Sequence, residues 1–390
     1  MQPIDFDLRP FIVIWEPTRA CDLACVHCRA AAQPRPSPWE LTTAEGLELI
    51  DQVAALQPRV FVITGGDPLK RSDVYRLIEY ASLRGLHPAL TPSATPLLTS
   101  CAIDQLKEAG LSRLAVSLDG STAAIHDGVR RVAGSFDRTI DAILHARAIG
   151  IPVQINATVM RANLDDLPNL IELAGTLDIA MLSVFALVPT GRGKASDMIT
   201  AEEFEKLFAL LHETSQRVSF GIKTTEAMHY RRFVLQRRAE ENGFSIRDLI
   251  DPASGTIDPS ALFITDTRRP PIGIENNTIP RAPRGVNDGK GFVFISHLGD
   301  VYPSGFLPLA AGNIRKEKLS AIYRHSDLFV SLRDSSLLKG KCGVCEFREL
   351  CGGSRARAYA LTGDAFASDP LCVYQPASAN AQRAVVSQGM

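Results

Sequence analysis

No stretch of this chain approaches the ~20 consecutive apolar residues that a membrane-spanning helix needs, so a transmembrane segment is excluded. The first residues, Met1-Gln-Pro-Ile-Asp-Phe-Asp, lack the basic and apolar regions of a secretion signal. An excess of charge of one sign is missing too. With 42 basic and 43 acidic residues the formal net charge is −1, which leaves no electrostatic bias toward nucleic acid or anionic membranes. Cysteine is sparse, eight in 390 residues, and its uneven placement excludes a disulfide scaffold. A cytoplasmic protein of two or three domains is expected, and 45% apolar with 22% charged residues suits a soluble globular chain.

What cysteine there is comes in groups, which reads as metal binding. Cys21, Cys25 and Cys28 fall within eight residues, Cys101 stands alone, and Cys342, Cys345, Cys351 and Cys372 form a second group. Cys101 lies at the start of an expected helix from about Ser100 to Ala109 and reads as a buried thiol without chemistry. The first group is one ligand short of a four-thiolate zinc site. A [4Fe–4S] cluster held there by three cysteines leaves one iron open. Reduced thiols or an adventitious metal are the alternative at this point.

Around the first group the chain alternates between strands and helices. Apolar runs at 11–15, 60–63, 88–91, 114–118, 153–159 and 181–187 have strand length. Between them, Thr42-Thr-Ala-Glu45 forms a capping box for a helix with Leu47, Ile50, Val53 and Leu56 on one face. A second helix is capped from Ser72, the Ser100–Ala109 helix is the third, a fourth spans 136–148, and a fifth, interrupted near its start by Pro168, spans 165–177. Six strands alternating with helices specify an α/β fold with a parallel sheet, and such folds carry their sites at the carboxyl ends of the strands. The cysteine loop follows strand one, Gly65-Gly66-Asp67 follows strand two, and Ser117 with Asp119 ends strand four.

The cysteine loop, with His27 just before its third cysteine, resembles the cluster loop of the radical S-adenosylmethionine (SAM) enzymes. The resemblance implies a partial (β/α)6 barrel open at the side. It also implies a cluster whose open iron is chelated by SAM, which is cleaved reductively to a 5′-deoxyadenosyl radical that abstracts hydrogen from substrate. Gly65, Gly66 and Asp67 stand where relatives have Gly-Gly-Glu, which receives the ammonium of SAM; the acid here is one methylene shorter. Ser117, in Ser-Leu-Asp-Gly, and Arg130 match a serine and an arginine that contact SAM's carboxylate; the lesser alternative for Arg130 is a surface residue beside Arg131. Asn156 and Val188-Pro-Thr-Gly-Arg-Gly193 occupy regions used for ribose and adenine, whereas Thr91-Pro92-Ser93 departs from the usual Thr-Asn-Gly.

Residues 198–245 read as helical, with Arg231-Arg232 and Arg237-Arg238 on a solvated face. Residues 251–290 are rich in Pro, Gly, Asn and Asp and read as a linker or flap over the barrel mouth. A β-hairpin is expected from Gly291-Phe-Val-Phe-Ile-Ser296 through Val301-Tyr302, followed by Gly312-Asn313-Ile314. Four cysteines then close a coordination shell, and spacing alone does not separate zinc from iron–sulfur. The order of hairpin, Gly-Asn-Ile and cysteine group resembles the SPASM extension of radical SAM enzymes, which implies an auxiliary [4Fe–4S] cluster on Cys342, Cys345, Cys351 and Cys372. Full SPASM domains hold a second auxiliary cluster, but two of its cysteine positions are Ser304 and Arg355 here, so two clusters in total are expected.

The expected organisation is a barrel at 1–197, a helical segment and linker at 198–290, an auxiliary-cluster domain at 291–376 and a tail at 377–390. The Arg355-Ala-Arg357-Ala-Tyr359 segment looks most like the enzymes of alternative haem and haem d1 biosynthesis. Arg355 and Arg357 either pair carboxylates of a tetrapyrrole or are solvated structural residues. A peptide-modifying maturase is the close alternative, although no peptide-docking element is seen; a non-catalytic iron–sulfur or zinc protein is the distant one. The resemblance further implies a small-molecule or peptide substrate and an external electron donor such as flavodoxin or ferredoxin.

Overall fold

A computed structural model describes residues 4–258 and 285–376. The tail at 377–390 and most of the linker or flap lie outside the described residues. Six strands lie parallel and in chain order: β1 (Ile12–Trp15), β2 (Val60–Ile63), β3 (Pro88–Leu90), β4 (Arg113–Ser117), β5 (Val153–Val159) and β6 (Met181–Ala186). Helices connect them: α1 (Thr43–Leu56), α2 (Val74–Leu83), α3 (Ser100–Glu108), α4 (Ala123–Arg130), α5 (Ser135–Ala148) and α6 (Leu167–Thr176). After α7 (Ala201–Ser215), β7 (Gly221–Thr225) adds parallel to β6, and α8 (His229–Glu241) follows. β8 (Ile250–Asp251) and β9 (Thr256–Ile257) pair in a small ribbon of their own.

The expected hairpin forms from β10 (Phe292–Ile295) and β11 (Asp300–Tyr302), with β12 (Gly312–Asn313) beside it. It is not a detached sheet, because β10 runs parallel to β1, with Ile12 opposite Phe292. Among the described residues the large sheet is therefore ten-stranded and open, with β12 and β7 as its edges. The Cys loop leaves β1, which is flanked by β2 on one side and the hairpin on the other. Exposed Arg315 carries the connection onto α1, pairing with Glu45 at 2.6 Å while Glu45 closes the α1 capping box with Thr42.

Apolar burial follows the helical period. α1 presents Leu49, Ile50, Val53 and Leu56 to the sheet, with Leu47 only half-buried, and its Gly46 lies against Trp15, where a Cβ would come within 2.8 Å of the indole. Each fully buried Leu or Ile side chain contributes about 1.5–3 kcal/mol.

Several local expectations change. Ser72 does not cap α2, which begins after Asp73 with no side-chain cap, because Pro68–Lys70 already forms a short 3-10 turn capped by Asp67. Pro168 opens α6 rather than interrupting it, since a first-turn N–H has no helical partner to lose. Cys101 is exposed, not buried: α3 turns Ala102, Ile103 and Leu106 to the core and Cys101 outward. β7 escapes the helical reading of 198–245 because Gly-Ile-Lys-Thr-Thr is an edge strand with no apolar run. Arg231 and Arg232 are not on a solvated face. Arg231 donates to the carbonyls of Val286 and Leu350, and buried Arg232 pairs with Glu205; only Arg237 of the four is exposed.

Candidate active site

A cavity of about 200 Å³ lies at the carboxyl ends of the strands. Cys21, Cys25, Cys28, Gly65, Gly66, Ser117, Arg130 and Asn156 all line it, brought together from five parts of the chain. Asp67 does not. Its fully buried carboxylate caps the turn at Leu69 and accepts from Ser93 N and, at 2.7 Å, from Thr95 Oγ1. The shorter acid is thus spent on shaping its own loop.

The glycines serve the cysteine loop directly. Gly66 N donates to Thr18 O at 2.8 Å and Asp67 N to Ala20 O at 2.7 Å, so the turn after β2 pins the chain just before Cys21. A Cβ on Gly65 would lie 2.5 Å from Thr18 O, and one on Gly66 would lie 2.4 Å from Ala20 O. This contact needs backbone against backbone. Arg192, which lies in the Val188–Gly193 segment expected at the site but has no role of its own there, braces the far side. Its N donates to Cys28 O, its Nε to Cys25 O and its Nη1 to Ala32 O, each at 2.9 Å. Its Nη2 is buried without a hydrogen-bond partner beside the cavity. Its sequence signals are its place after β6, a strand that reaches the site, and the resemblance of its segment to one used for ribose and adenine.

Each sulfur of the loop has a donor aimed at it. Leu23 N points at Cys21 Sγ (3.4 Å), Ala32 N at Cys28 Sγ (3.4 Å) and Arg130 Nη1 at Cys25 Sγ (3.5 Å). Donors of this kind stabilise thiolate, the form that ligates iron. Arg130 is no surface residue. Its buried guanidinium pairs with Asp119 at 2.5 Å, and that charge outweighs the burial that would otherwise raise the Asp119 pKa. His27 Nε2 stands 3.6 Å from the same carboxylate, with burial holding its pKa down at about 4 against Asp119's pull. Asn156 Oδ1 accepts from Gln154 Nε2 at 2.6 Å.

Glu16, at the end of β1, is a second hub. It receives Arg29 at 2.5 Å, Arg19 at 2.9 Å and His297 at 3.5 Å, and Arg29 also lies over the Phe294 ring. Burial would raise its pKa, but Arg29, the His297 hydrogen bond and Arg19 outweigh burial and lower it to about 2. A depressed carboxylate contributes stability above its ordinary value near 4.5 and loses it as pH falls through about 2. Glu16→Gln is therefore expected to cost about 3 kcal/mol at pH 7 and to flatten the stability profile between roughly pH 5 and 2. Urea unfolding across that range checks it; an unaltered profile would contradict the assignment.

The second group also converges. Cys342, Cys345, Cys351 and Cys372 line one cavity with His229, Arg232 and Asp369. Gly353 N points at Cys351 Sγ (3.3 Å) and Asp369 N at Cys342 Sγ (3.4 Å). Among the described residues no three His, Cys, Asp or Glu side chains are gathered as a single-ion site requires.

Arg355 and Arg357 are structural but not solvated. They are 2% and 0% exposed, and Arg355 Nη2 comes within 4.0 Å of Cys342 Sγ. Arg355 donates to the carbonyls of Ala365 and Ala367 at 2.9 and 2.7 Å, and Arg357 pairs with Asp369. Ser304 and Arg355, the positions that lack cysteine, meet a buried polar network: Ser304 and Ser354 donate to Glu226 at 3.5 and 2.5 Å, and Ala356 N donates to Asp288 at 2.9 Å.

Residues 15–174 match the Radical SAM superfamily. The chain is 36% identical to the AdoMet-dependent heme synthase of Methanosarcina barkeri (strain Fusaro / DSM 804), over 94% of this chain and 97% of that protein. This chain belongs to the radical SAM superfamily. It is also 26% identical to the PqqA peptide cyclase of Bradyrhizobium diazoefficiens, over 94% of this chain and 87% of that one. Its fold resembles that of Streptococcus suis SuiB bound to precursor peptide SuiA, with a TM-score of 0.69 at 17% identity over 94% of this chain and 76% of SuiB. A radical SAM enzyme uses a [4Fe–4S] cluster and SAM. Among the described residues no helix is long and apolar enough to cross a membrane.

Proposed function

We propose that this radical SAM enzyme oxidatively decarboxylates propionate side chains of an iron tetrapyrrole. The observation that carries the reading is the 36% identity, across 94% of the chain, to a protein named for haem synthesis. Haem has vinyl groups at two ring positions, and a propionate becomes a vinyl by losing CO2, one hydrogen atom and one electron. Restoring propionate at both positions gives iron coproporphyrin III, the substrate this chemistry points to. When bound, a [4Fe–4S] cluster with SAM supplies the hydrogen-abstracting 5′-deoxyadenosyl radical, and an auxiliary [4Fe–4S] cluster supplies an electron acceptor.

The protein's part is to hold and orient. Cys21, Cys25 and Cys28 hold the first cluster, in a loop fixed by Gly65, Gly66 and Arg192. Ser117, Arg130 and Asn156 face the cavity where SAM would lie, and Gly65 and Gly66 offer backbone there. Asp67 acts on SAM only indirectly, through the turn it caps. Cys342, Cys345, Cys351 and Cys372 hold the auxiliary cluster within residues 291–376, and the donors aimed at Cys342 and Cys351 support thiolate ligation there. The network around Ser304 and Arg355 supports one auxiliary cluster rather than two. The reaction type is that of an oxidoreductase that releases CO2, supplied with electrons by a flavodoxin or ferredoxin. Seven ligating thiols suit the reducing cytoplasm.

The test is anaerobic reconstitution followed by SAM, dithionite and iron coproporphyrin III. Expected are about eight irons per chain, two clusters of four, together with 5′-deoxyadenosine and porphyrin products lighter by one or two formic acid equivalents. Iron near twelve would sink the two-cluster count, and an inert porphyrin would sink the substrate. The similarity to a PqqA peptide cyclase favours a peptide substrate as the second reading.

A further inference from the structure

The interior of a parallel barrel is ordinarily filled by branched apolar side chains. Here one row across four strands is polar. Ser117 on β4 is in register with Asn156 on β5, Asn156 with Ser183 on β6, and Ser183 with Lys223 on β7. Registered neighbours present the same face of a sheet, and Ser117 and Asn156 line the active-site cavity, so the row faces the interior. Two residues lower, on the same face, come Ala115, Gln154, Met181 and Gly221, which has no side chain. Arg113 shares that face of β4 by strand alternation. Its Nη1 donates to Gln154 Oε1 at 3.2 Å, and Gln154 Nε2 donates to Asn156 Oδ1 at 2.6 Å, a chain that leads from Arg113 to the cavity wall.

The cations of this interior are unusual. At the cavity, Arg29 is neutralised by Glu16 and Arg130 by Asp119. Among the described residues Lys223 and Arg113 have no carboxylate partner, and the buried Nε of Arg113 has no hydrogen-bond partner at all. They also feel each other. Burial and then the Arg113 charge hold the Lys223 pKa down at about 8, and burial alone holds Arg113 at about 10. Two like charges that feel each other across the interior, with no carboxylate opposite either among the described residues, cost stability unless an anion joins them. SAM's carboxylate is a poor candidate for that anion. The cysteine loop leaves β1, and β7 is the far edge of the parallel array, six strands away in the sheet order.

We propose that Lys223 and Arg113 form an anion-binding floor that anchors a carboxylate of the substrate other than the one that reacts. A compact ammonium and a planar guanidinium together suit one carboxylate, with Arg113 supplying a two-donor edge. The inference rests on the tetrapyrrole reading, whose substrate carries several propionates. It adds how that substrate is oriented: one side chain held on the β4–β7 side positions the opposite rim of the ring toward the cysteine loop.

The test is a Soret titration of the reconstituted enzyme with iron coproporphyrin III and with its tetramethyl ester, variants being compared at equal iron content. Lys223→Met is expected to weaken binding of the acid about tenfold or more. Lys223→Arg is expected to restore most of it, and the ester is expected to bind wild type and Lys223→Met alike. Arg113→Met is expected to act in the same direction, and in turnover both losses appear in KM before kcat. If Lys223→Met binds the acid as tightly as wild type does, the anion floor is wrong while the tetrapyrrole reading stands. If wild type binds neither porphyrin, the tetrapyrrole reading fails and the inference falls with it.

Discussion

Cys25→Ala is expected to abolish 5′-deoxyadenosine formation while leaving the protein folded. Three thiolates are the minimum set for a cluster with an open iron, so removing one leaves two ligands and no site. Iron after reconstitution should fall from about eight to about four per chain, the remainder held by the second cysteine group. The fold should survive because the loop is held by its backbone. Arg192 binds the carbonyls of Cys25, Cys28 and Ala32, and Gly66 and Asp67 bind those of Thr18 and Ala20, so the side chain of Cys25 takes part in none of these contacts. The substitution does strip Arg130 of its sulfur contact, but the Asp119 pair keeps its charge balanced. Iron analysis, circular dichroism and chromatography of the SAM products check all three points. Full activity in Cys25→Ala would remove the reason for reading this chain as an enzyme of its family.

Much of this site is legible in sequence because its chemistry is carried by rare residues at strand ends. Cysteines spaced three and two apart, glycines after β2 and a serine ending β4 all meet at one cavity. What stays hidden is how charges are paired. Arg130, Arg232, Arg355 and Arg357 look alike in sequence, yet every one is enclosed, and its role depends on whether Asp119, Glu205, backbone carbonyls or Asp369 lies opposite. Those partners are between 10 and 27 residues away, or fold in from another element, beyond any local pattern. Asp67 shows the same limit from the other side: its position in the motif is plain, but which way the carboxylate turns depends on Thr95. β7 is not legible in the sequence because an edge strand whose interior face carries Lys223 has no apolar run to announce it.

Arg357→Ala is expected to destabilise the protein by about 3–5 kcal/mol, because it leaves the Asp369 carboxylate buried and uncompensated. Both side chains are 0% exposed, and the guanidinium grips the carboxylate with Nε at 2.9 Å and Nη2 at 2.5 Å. Its third edge donates to Glu226 O, and its plane lies over Phe204 of α7, so one side chain ties the helix after Cys351 to the end of β7. Asp369 also orders the cysteine group. It accepts from Ser354 N and Leu371 N on either side of the cluster segments, while its own N–H points at Cys342 Sγ. A fall in melting temperature on the order of 10 °C should follow, together with loss of about four irons from the second group. Substrate-free 5′-deoxyadenosine formation, which needs only the first group, should persist at temperatures where the variant stays folded. Combining Arg357→Met with Asp369→Asn removes both charges, and the double variant should lose less stability than the sum of its parts. The alternative role, in which Arg357 binds a substrate carboxylate, predicts the reverse: a raised KM, an unchanged melting temperature and full iron content. The two outcomes differ in every readout, so one thermal scan with an iron assay separates a buried brace from a substrate anchor.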